Sequence, residues 1–366
     1  MGQEGYPTTV TPPLGSDHLR PLKMRRICIA WGGMPAYAAC AVRQFMTDYI
    51  GEVALIATAS DVPKTCADEI CGVKINWVLD EDSRSIEDVI GFVPDVLFVS
   101  GWFIPSFNRF VNEVNAYGGR VIVGTDNRDR SGWSGVIWSL YFRFKIKRKF
   151  SAFMTPGESG RRLLRKGGCS EEEMRTNLYT ADPAVFHPGT NLSCREKIVV
   201  YVGRYDTRKN ILPFAKAFSS FASKNTEWRL ECYGQGALES ALRRLPYVQV
   251  NGFLQPKELA SRYRFARAFV LPSREDHWGV VVHEAALSGC ALLLSDQVGA
   301  ADDLANGCNS MLFAPGDELA MFRALEKMSQ KDDSSWDEAG KMSVTLAGRI
   351  TPANFSRNLM ELINRE

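Results

Sequence analysis

Two short stretches in the second half of the chain place charged residues where they could act on a phosphorylated ligand. In Val202-Gly203-Arg204-Tyr205-Asp206-Thr207-Arg208-Lys209-Asn210, an expected strand ends at a turn on Gly203 and an expected helix starts near Ile211. Arg204 and Lys209 lie in that one loop, where two cations can converge on the same phosphate oxygens. Taken alone, the loop reads equally well as a solvated basic turn. The second stretch runs from Leu271 through Glu275-Asp276-His277-Trp278-Gly279-Val280-Val281 to Glu284 and Ala285. It combines a strand end, a polar loop and a helix start whose first amides, at Gly279, Val280 and Val281, are free to hold an anion. Gly279 lets a phosphate approach closely. Asp276 in the loop and Glu284 one to two turns into the helix can face one cleft. The plain alternative makes Asp276 a helix cap and Glu284 a surface acid.

Together these stretches resemble the signature of family 4 glycosyltransferases, in which a Gly-Arg turn and a nearby Lys are followed by two acids with seven residues between them. The resemblance continues through Ser288–Asp296, Gly299–Leu304 and Asn306-Gly307 before Met311-Leu312-Phe313, and so covers most of residues 198–328 in order. It implies a GT-B fold of two Rossmann-like domains facing across a cleft. It also implies transfer of a sugar from a nucleotide diphosphate sugar to an acceptor hydroxyl with the anomeric configuration retained. Arg204 and Lys209 would bind the donor diphosphate and Glu284 the ribose. The sugar-facing acid would be Asp276, one methylene shorter than the usual Glu, with Glu275 beside it as a competitor. Asn251-Gly252-Phe253 resembles the turn that contacts the nucleobase, although an ordinary strand-to-loop turn fits it as well. In the first half, Trp31-Gly32-Gly33-Met34-Pro35 resembles the loop whose amides approach the donor phosphate or the acceptor. A tight turn is the alternative there. Many members carry a histidine where this chain has Gly124-Thr125-Asp126-Asn127-Arg128, and Asp126 is the best substitute. The four histidines, His18, His187, His277 and His283, all lie elsewhere. No acid cluster of the D-x-D sort is positioned to hold a divalent ion, and the resemblance implies neither a metal nor any cofactor beyond the donor sugar nucleotide.

The elements that must position these loops follow from short apolar runs alternating with longer amphipathic segments, the pattern of β-α units around buried parallel strands. The fold class is α/β. Expected strands are Ile27–Ala30, Val53–Ala57, Val96–Ser100, Val121–Gly124 and Phe150–Met154 in the first half, with helices after Pro35, Pro105 and Pro156. In the second half they are Ile198–Val202, Arg229–Tyr233, Val248–Gly252, Ala268–Leu271 and Ala291–Ser295. Ligands of such sheets bind beyond the carboxyl ends of the strands. The seam falls near Asp182–Glu196, where Pro183, Pro188, Gly189, Asn191 and Ser193 cluster, and Met174–Asp182 resembles the family's crossing segment. The expected division is a tail over residues 1–24, an acceptor domain over 25–185, a donor domain over 186–350 and a terminal helix over 351–366.

At 366 residues the chain suits two domains, and its net charge of +2 points to neither nucleic acid nor acidic substrates. Nine scattered cysteines without a C-x-x-C pair suit a reducing, cytoplasmic compartment. Tyr6 breaks the myristoylation pattern, and no apolar run suggests a signal peptide or membrane span. From Trp138 to Phe150, aromatic and basic residues interleave, followed by Arg161, Arg162, Arg165 and Lys166. This composition suits contact with the anionic inner face of a membrane or, equally, a helix with a core face and a basic solvated face. Expected partners are therefore a nucleotide-sugar donor and a carbohydrate or lipid-linked saccharide acceptor, in polysaccharide or glycolipid assembly. Two other classes fit less well: an inactive sugar-nucleotide-binding subunit, and a nicotinamide-dependent oxidoreductase, which the absence of G-x-G-x-x-G disfavours.

Overall fold

The computed structural model describes residues 25–59, 67–129 and 132–365, so the tail expected over residues 1–24 lies outside the described residues. The first sheet contains β1 (Ile27–Gly32), β2 (Val53–Thr58), β3 (Asn76–Val78), β4 (Val96–Val99), β5 (Arg120–Gly124), β6 (Ala152–Met154) and β7 (Met174–Arg175). The second contains β8 (Glu196–Val202), β9 (Arg229–Tyr233), β10 (Val248–Asn251), β11 (Ala266–Leu271), β12 (Ala291–Ser295) and β13 (Ser310–Phe313). Their orders are β3-β2-β1-β4-β5-β6-β7 and β10-β9-β8-β11-β12-β13, and the pairings are parallel. Each order reverses beside its first strand. The crevices therefore open at the carboxyl ends of β1 and β4 and of β8 and β11.

The strands expected from sequence all form, with ends within two residues of their expected places. Three further strands, β3, β7 and β13, lie at sheet edges. An edge strand pairs on one side only and can be very short, so Asn76-Trp77-Val78 and Met174-Arg175 carry no apolar run to announce them. The helices Ala36–Asp48 and Pro105–Ala116 begin at their prolines, Pro35 as N-cap and Pro105 as first residue, where a missing N–H costs nothing. The third begins two residues beyond Pro156, as Glu158–Lys166.

Both faces of the first sheet are covered, which is why its central strands are apolar throughout. Along β1, Cys28 and Ala30 pack with Phe107 and Phe110, while Ile27, Ile29 and Trp31 face the other way. That second layer is completed by Phe355, Leu359, Leu362 and Ile363 of the terminal helix Pro352–Asn364. The chain thus returns after the second domain to finish the core of the first. Thr351 caps this helix by accepting from the Asn354 amide at 3.1 Å, and Arg175 reaches Glu361 at 2.7 Å.

The two domains also meet directly. Asp303 of the second accepts the Glu158 amide at 3.1 Å at the start of the helix Glu158–Lys166, and Trp278 Nε1 at 3.4 Å. Burial pushes its carboxyl up to about 6, and those donors oppose the rise. A Cβ on Gly157 would lie 1.9 Å from Asp303 Oδ2, so only glycine allows this approach. Arg162 pairs with Asp302 at 2.6 Å. His283, fully buried, accepts the Ala181 amide of the crossing segment on Nδ1 and donates from Nε2 to Ala347 O, both at 3.0 Å. It is thereby held neutral as the Nε2–H tautomer, and burial lowers its pKa to about 4.

Phe355 stands 6.2 Å from Trp31 and 6.3 Å from Phe98, ring centre to ring centre, and is fully buried. Phe355→Ala should cost about 3–5 kcal/mol and lower the denaturant midpoint of the first domain, from which it is remote in sequence. An unchanged midpoint would show that the terminal helix is not part of that core.

Candidate active site at the domain interface

The site is built where β8 and β11 run side by side, with Val200 opposite Phe269 and Tyr201 opposite Val270. Their following loops, 203–210 and 272–279, therefore leave the sheet together. Three contacts bind them: the Arg274 amide donates to Arg208 O at 2.8 Å, Asn210 Nδ2 to Pro272 O at 3.1 Å, and Arg274 Nε to Asn210 Oδ1 at 3.2 Å. Asn210, buried and with φ of 55°, adopts the left-handed conformation that asparagine tolerates better than most residues.

This junction brings Lys209 Nζ to 2.5 Å from Asp276 Oδ2, with both side chains largely buried. Ser273 Oγ stands 3.4 Å from the same oxygen. The Asp276 backbone is clasped by the 296–299 loop, donating to Gln297 O at 3.1 Å and accepting from Gly299 N at 3.0 Å. A Cβ on Gly299 would lie 2.0 Å from His277 O, so only glycine lets the loop come this close. Gly279, at φ 89°, then opens the helix Val280–Leu287, which has no side-chain cap. Asp276 is thus not a helix cap, and the polar helix start sits beside the ion pair.

Other expected residues are placed differently. Arg204 does not join Lys209 but is 78% exposed and lies 3.4 Å from Asp206. Gly203, at φ 154°, makes the turn after β8. Glu275 is more exposed than Asp276 and points to a polar opening of about 750 Å³, lined by Arg128, Arg162, Lys166 and Arg274. The Gly32 amide is taken by Ser100 Oγ at 2.9 Å and the Gly33 amide by Thr58 O at 3.1 Å. Neither is available to a phosphate, and Gly33, at φ 69°, serves the tight turn. Nothing crowds Gly252, and Phe253 is exposed, while Asn251 O accepts the Tyr205 hydroxyl at 2.8 Å.

Glu284 is not a surface acid. It lines a cleft of about 490 Å³ together with Tyr37 and Arg43 of the first domain, Ala181 of the crossing segment, and Gln255 and Lys257. Its Oε2 has no hydrogen-bond partner. Burial pushes the carboxyl up to about 7, with the neighbouring Tyr263 hydroxyl pulling the other way. An acceptor oriented by burial and lacking a donor suits a ligand hydroxyl.

Asp126 reaches across the interface to His277, Oδ1 to Nδ1 3.4 Å. This bond is the main cause of the raised His277 pKa. A histidine therefore does stand beside Asp126, contributed by the opposite wall, which spacing within one loop could not reveal. Behind them, burial and then Tyr37 and Asp126 raise the pKa of the Tyr179 hydroxyl, and the Tyr37 and Tyr179 rings lie 5.1 Å apart. Tyr37, Tyr179 and Trp278 link the walls without any local signal except the Trp-Gly pair at Trp278-Gly279.

Residues 196–331 match the family model described as Glycosyl transferases group 1. HepE of Anabaena, solved in complex with UDP and glucose, superposes with a TM-score of 0.72 at 12% identity, over 93% of this chain and 100% of that one. Sucrose-phosphate synthase of Thermosynechococcus elongatus gives 0.70 at 13% identity, over 92% and 98%. The fold is GT-B. The sulfoquinovosyl transferase SQD2 of Arabidopsis thaliana is 25% identical over 258 residues, 64% of this chain and 49% of that enzyme. This chain therefore spans about half the length of that relative. In GT-B terms, the Lys209–Asp276 pair lies at the switch point of the second domain and Glu284 in the cleft between the two.

The raised pKa of Glu284 fixes the sign of a pH effect. Its folded value of about 7 exceeds the ordinary 4.5, so the fold favours the protonated form and stability falls as pH rises through that window. Glu284→Gln removes the ionisation and should stabilise the protein near pH 8 by up to about 3 kcal/mol, with a much smaller gain below pH 5. Urea denaturation at the two pH values measures the difference, and equal gains at both would contradict the assignment.

Proposed function

We propose that this GT-B chain is a retaining glycosyltransferase that moves a sugar from a nucleotide diphosphate sugar to an acceptor hydroxyl, in polysaccharide or glycolipid assembly. The observation that carries this reading is the 2.5 Å Lys209–Asp276 pair at the β8–β11 switch point, beside an uncapped helix start. HepE, of the same fold, was solved with UDP-glucose as well as with UDP and glucose, which supports a nucleotide-sugar donor.

As the bond to the sugar breaks, negative charge grows on the leaving diphosphate. Lys209 and the amides of Val280 and Val281 meet it there, and Arg204, exposed at the rim beside Asp206, swings in to join them. Lys209 turns from Asp276 toward phosphate, and the carboxylate so released accepts hydrogen bonds from the donor sugar. Glu284 takes the ribose hydroxyls, whose donation favours its ionised form. Asp126 and His277 flank the acceptor side. The acceptor hydroxyl attacks from the face the diphosphate leaves and gives its proton to the departing diphosphate oxygen, which preserves configuration and needs no protein nucleophile. Cations and amides supply the counter-charge, so the reaction runs without a divalent ion.

Glu284→Gln and Lys209→Ala should each lower transfer by roughly 10²-fold or more. Lys209→Ala also leaves Asp276 buried without its cation and so should lose stability, whereas Glu284→Gln should not. Product formation from a panel of nucleotide sugars, with calorimetric donor binding alongside, separates the effects, and EDTA should leave turnover unchanged. Full turnover in both variants would refute the site. Donor binding with no transfer to any acceptor would leave a sugar-nucleotide-binding subunit.

A further inference from the structure

The helix Gly132–Tyr141 and the π-helical turn Phe142–Ile146 that extends it carry their apolar residues on the wrong side for a soluble fold. Trp133 (84% exposed), Val136, Ile137 (66%), Leu140, Tyr141 and Phe144 all face solvent. Their positions recur every three to four residues, so they form one ridge. Trp138 stacks on Phe142 at 4.9 Å, and Phe142, Ile146 and Phe150 are buried, so the segment is anchored from beneath while the ridge stays outside.

Charge decides what such a ridge meets. No acidic residue occurs from Gly132 to Phe150, and Arg143, Lys145, Arg148 and Lys149 are exposed around the end of the ridge. The more distant cations contribute nothing, because Arg161 and Arg165 are paired with Glu171, Arg162 with Asp302 and Lys166 with Asp129. Protein interfaces deplete lysine around apolar anchors. Aromatic and aliphatic side chains flanked by cations suit a bilayer, where the rings enter the headgroup layer and the cations meet lipid phosphates.

We propose that the ridge from Trp133 to Phe144, with Arg143, Lys145, Arg148 and Lys149, docks the protein on an anionic phospholipid surface. The helix follows closely on the loop that carries Asp126 and Arg128 into the interface, so docking sets the cleft mouth near the membrane plane. If the transferase reading holds, the acceptor is membrane-borne; the docking itself does not depend on that reading.

The test is co-sedimentation of the full chain with vesicles of phosphatidylcholine, with or without about one-third phosphatidylglycerol. Binding to the anionic vesicles should exceed binding to the neutral ones at least about tenfold and weaken in high salt. The double variant Ile137→Ser, Leu140→Ser should abolish it. Lys145→Glu with Arg148→Glu should reduce it about tenfold or more with unchanged melting, which keeps the test decisive if the first variant misfolds. The proposal is overturned if the anionic vesicles do not pellet the protein, if both vesicle types bind alike, or if correctly folded variants bind like the original chain. A solution dimer that Ile137→Ser, Leu140→Ser converts to monomer would also overturn it, by assigning the ridge to a second copy.

Discussion

A carboxylate taken out of water must find a cation, and the meeting of Asp276 with Lys209 is the constraint around which the second domain is arranged. The two residues are far apart in sequence and are neighbours only because β8 and β11 are adjacent in the sheet. Holding them together requires the loop-to-loop bond from Arg274 to Arg208, the left-handed turn at Asn210 and the close pass of Gly299 under His277. Each of these is a backbone requirement, so the charge pair is set by the main chain rather than by flexible side chains. A site held in this way keeps its shape until a ligand competes for its partners.

Polar groups of the two domains also meet across the interface. Asp303 rests on the first amide of the helix Glu158–Lys166, and Asp126 faces His277. Aromatic rings fill the space between: Tyr179 lies 6.3 Å from Trp278, which in turn lies 5.8 Å from His283. An interface with titratable groups on both sides suits domains that must part and close again, as interfaces between domains of one chain commonly do.

Legibility in the sequence divided along physical lines. Central strands were readable because burial on both faces forces an apolar run, whereas β3, β7 and β13 at the edges owe their existence to a neighbour's hydrogen bonds. Lys209, Asp276 and Glu284 stood out because their spacing within a loop or a helix turn is local information. The use of the Gly32 and Gly33 amides by Ser100 and Thr58, the burial of Glu284 and the arrival of His277 beside Asp126 are tertiary, and no window of sequence contains them. The aromatic-basic strip was visible as composition, but its phase was not. Which rings anchor and which protrude depends on the π-helical turn at Phe142–Ile146, where the helix changes its pitch.

The helix Pro352–Asn364 has a consequence for how the molecule is made. Because its apolar face belongs to the core of the first domain, that domain emerges from the ribosome first yet remains unfinished until the last residues of the helix follow. Meanwhile the second domain, whose core draws on residues from Ala181 to Ile350, can close independently. The order of synthesis is therefore opposite to the order in which the two cores can be completed, and during that interval Trp31 and Phe98 lack the cover of Phe355.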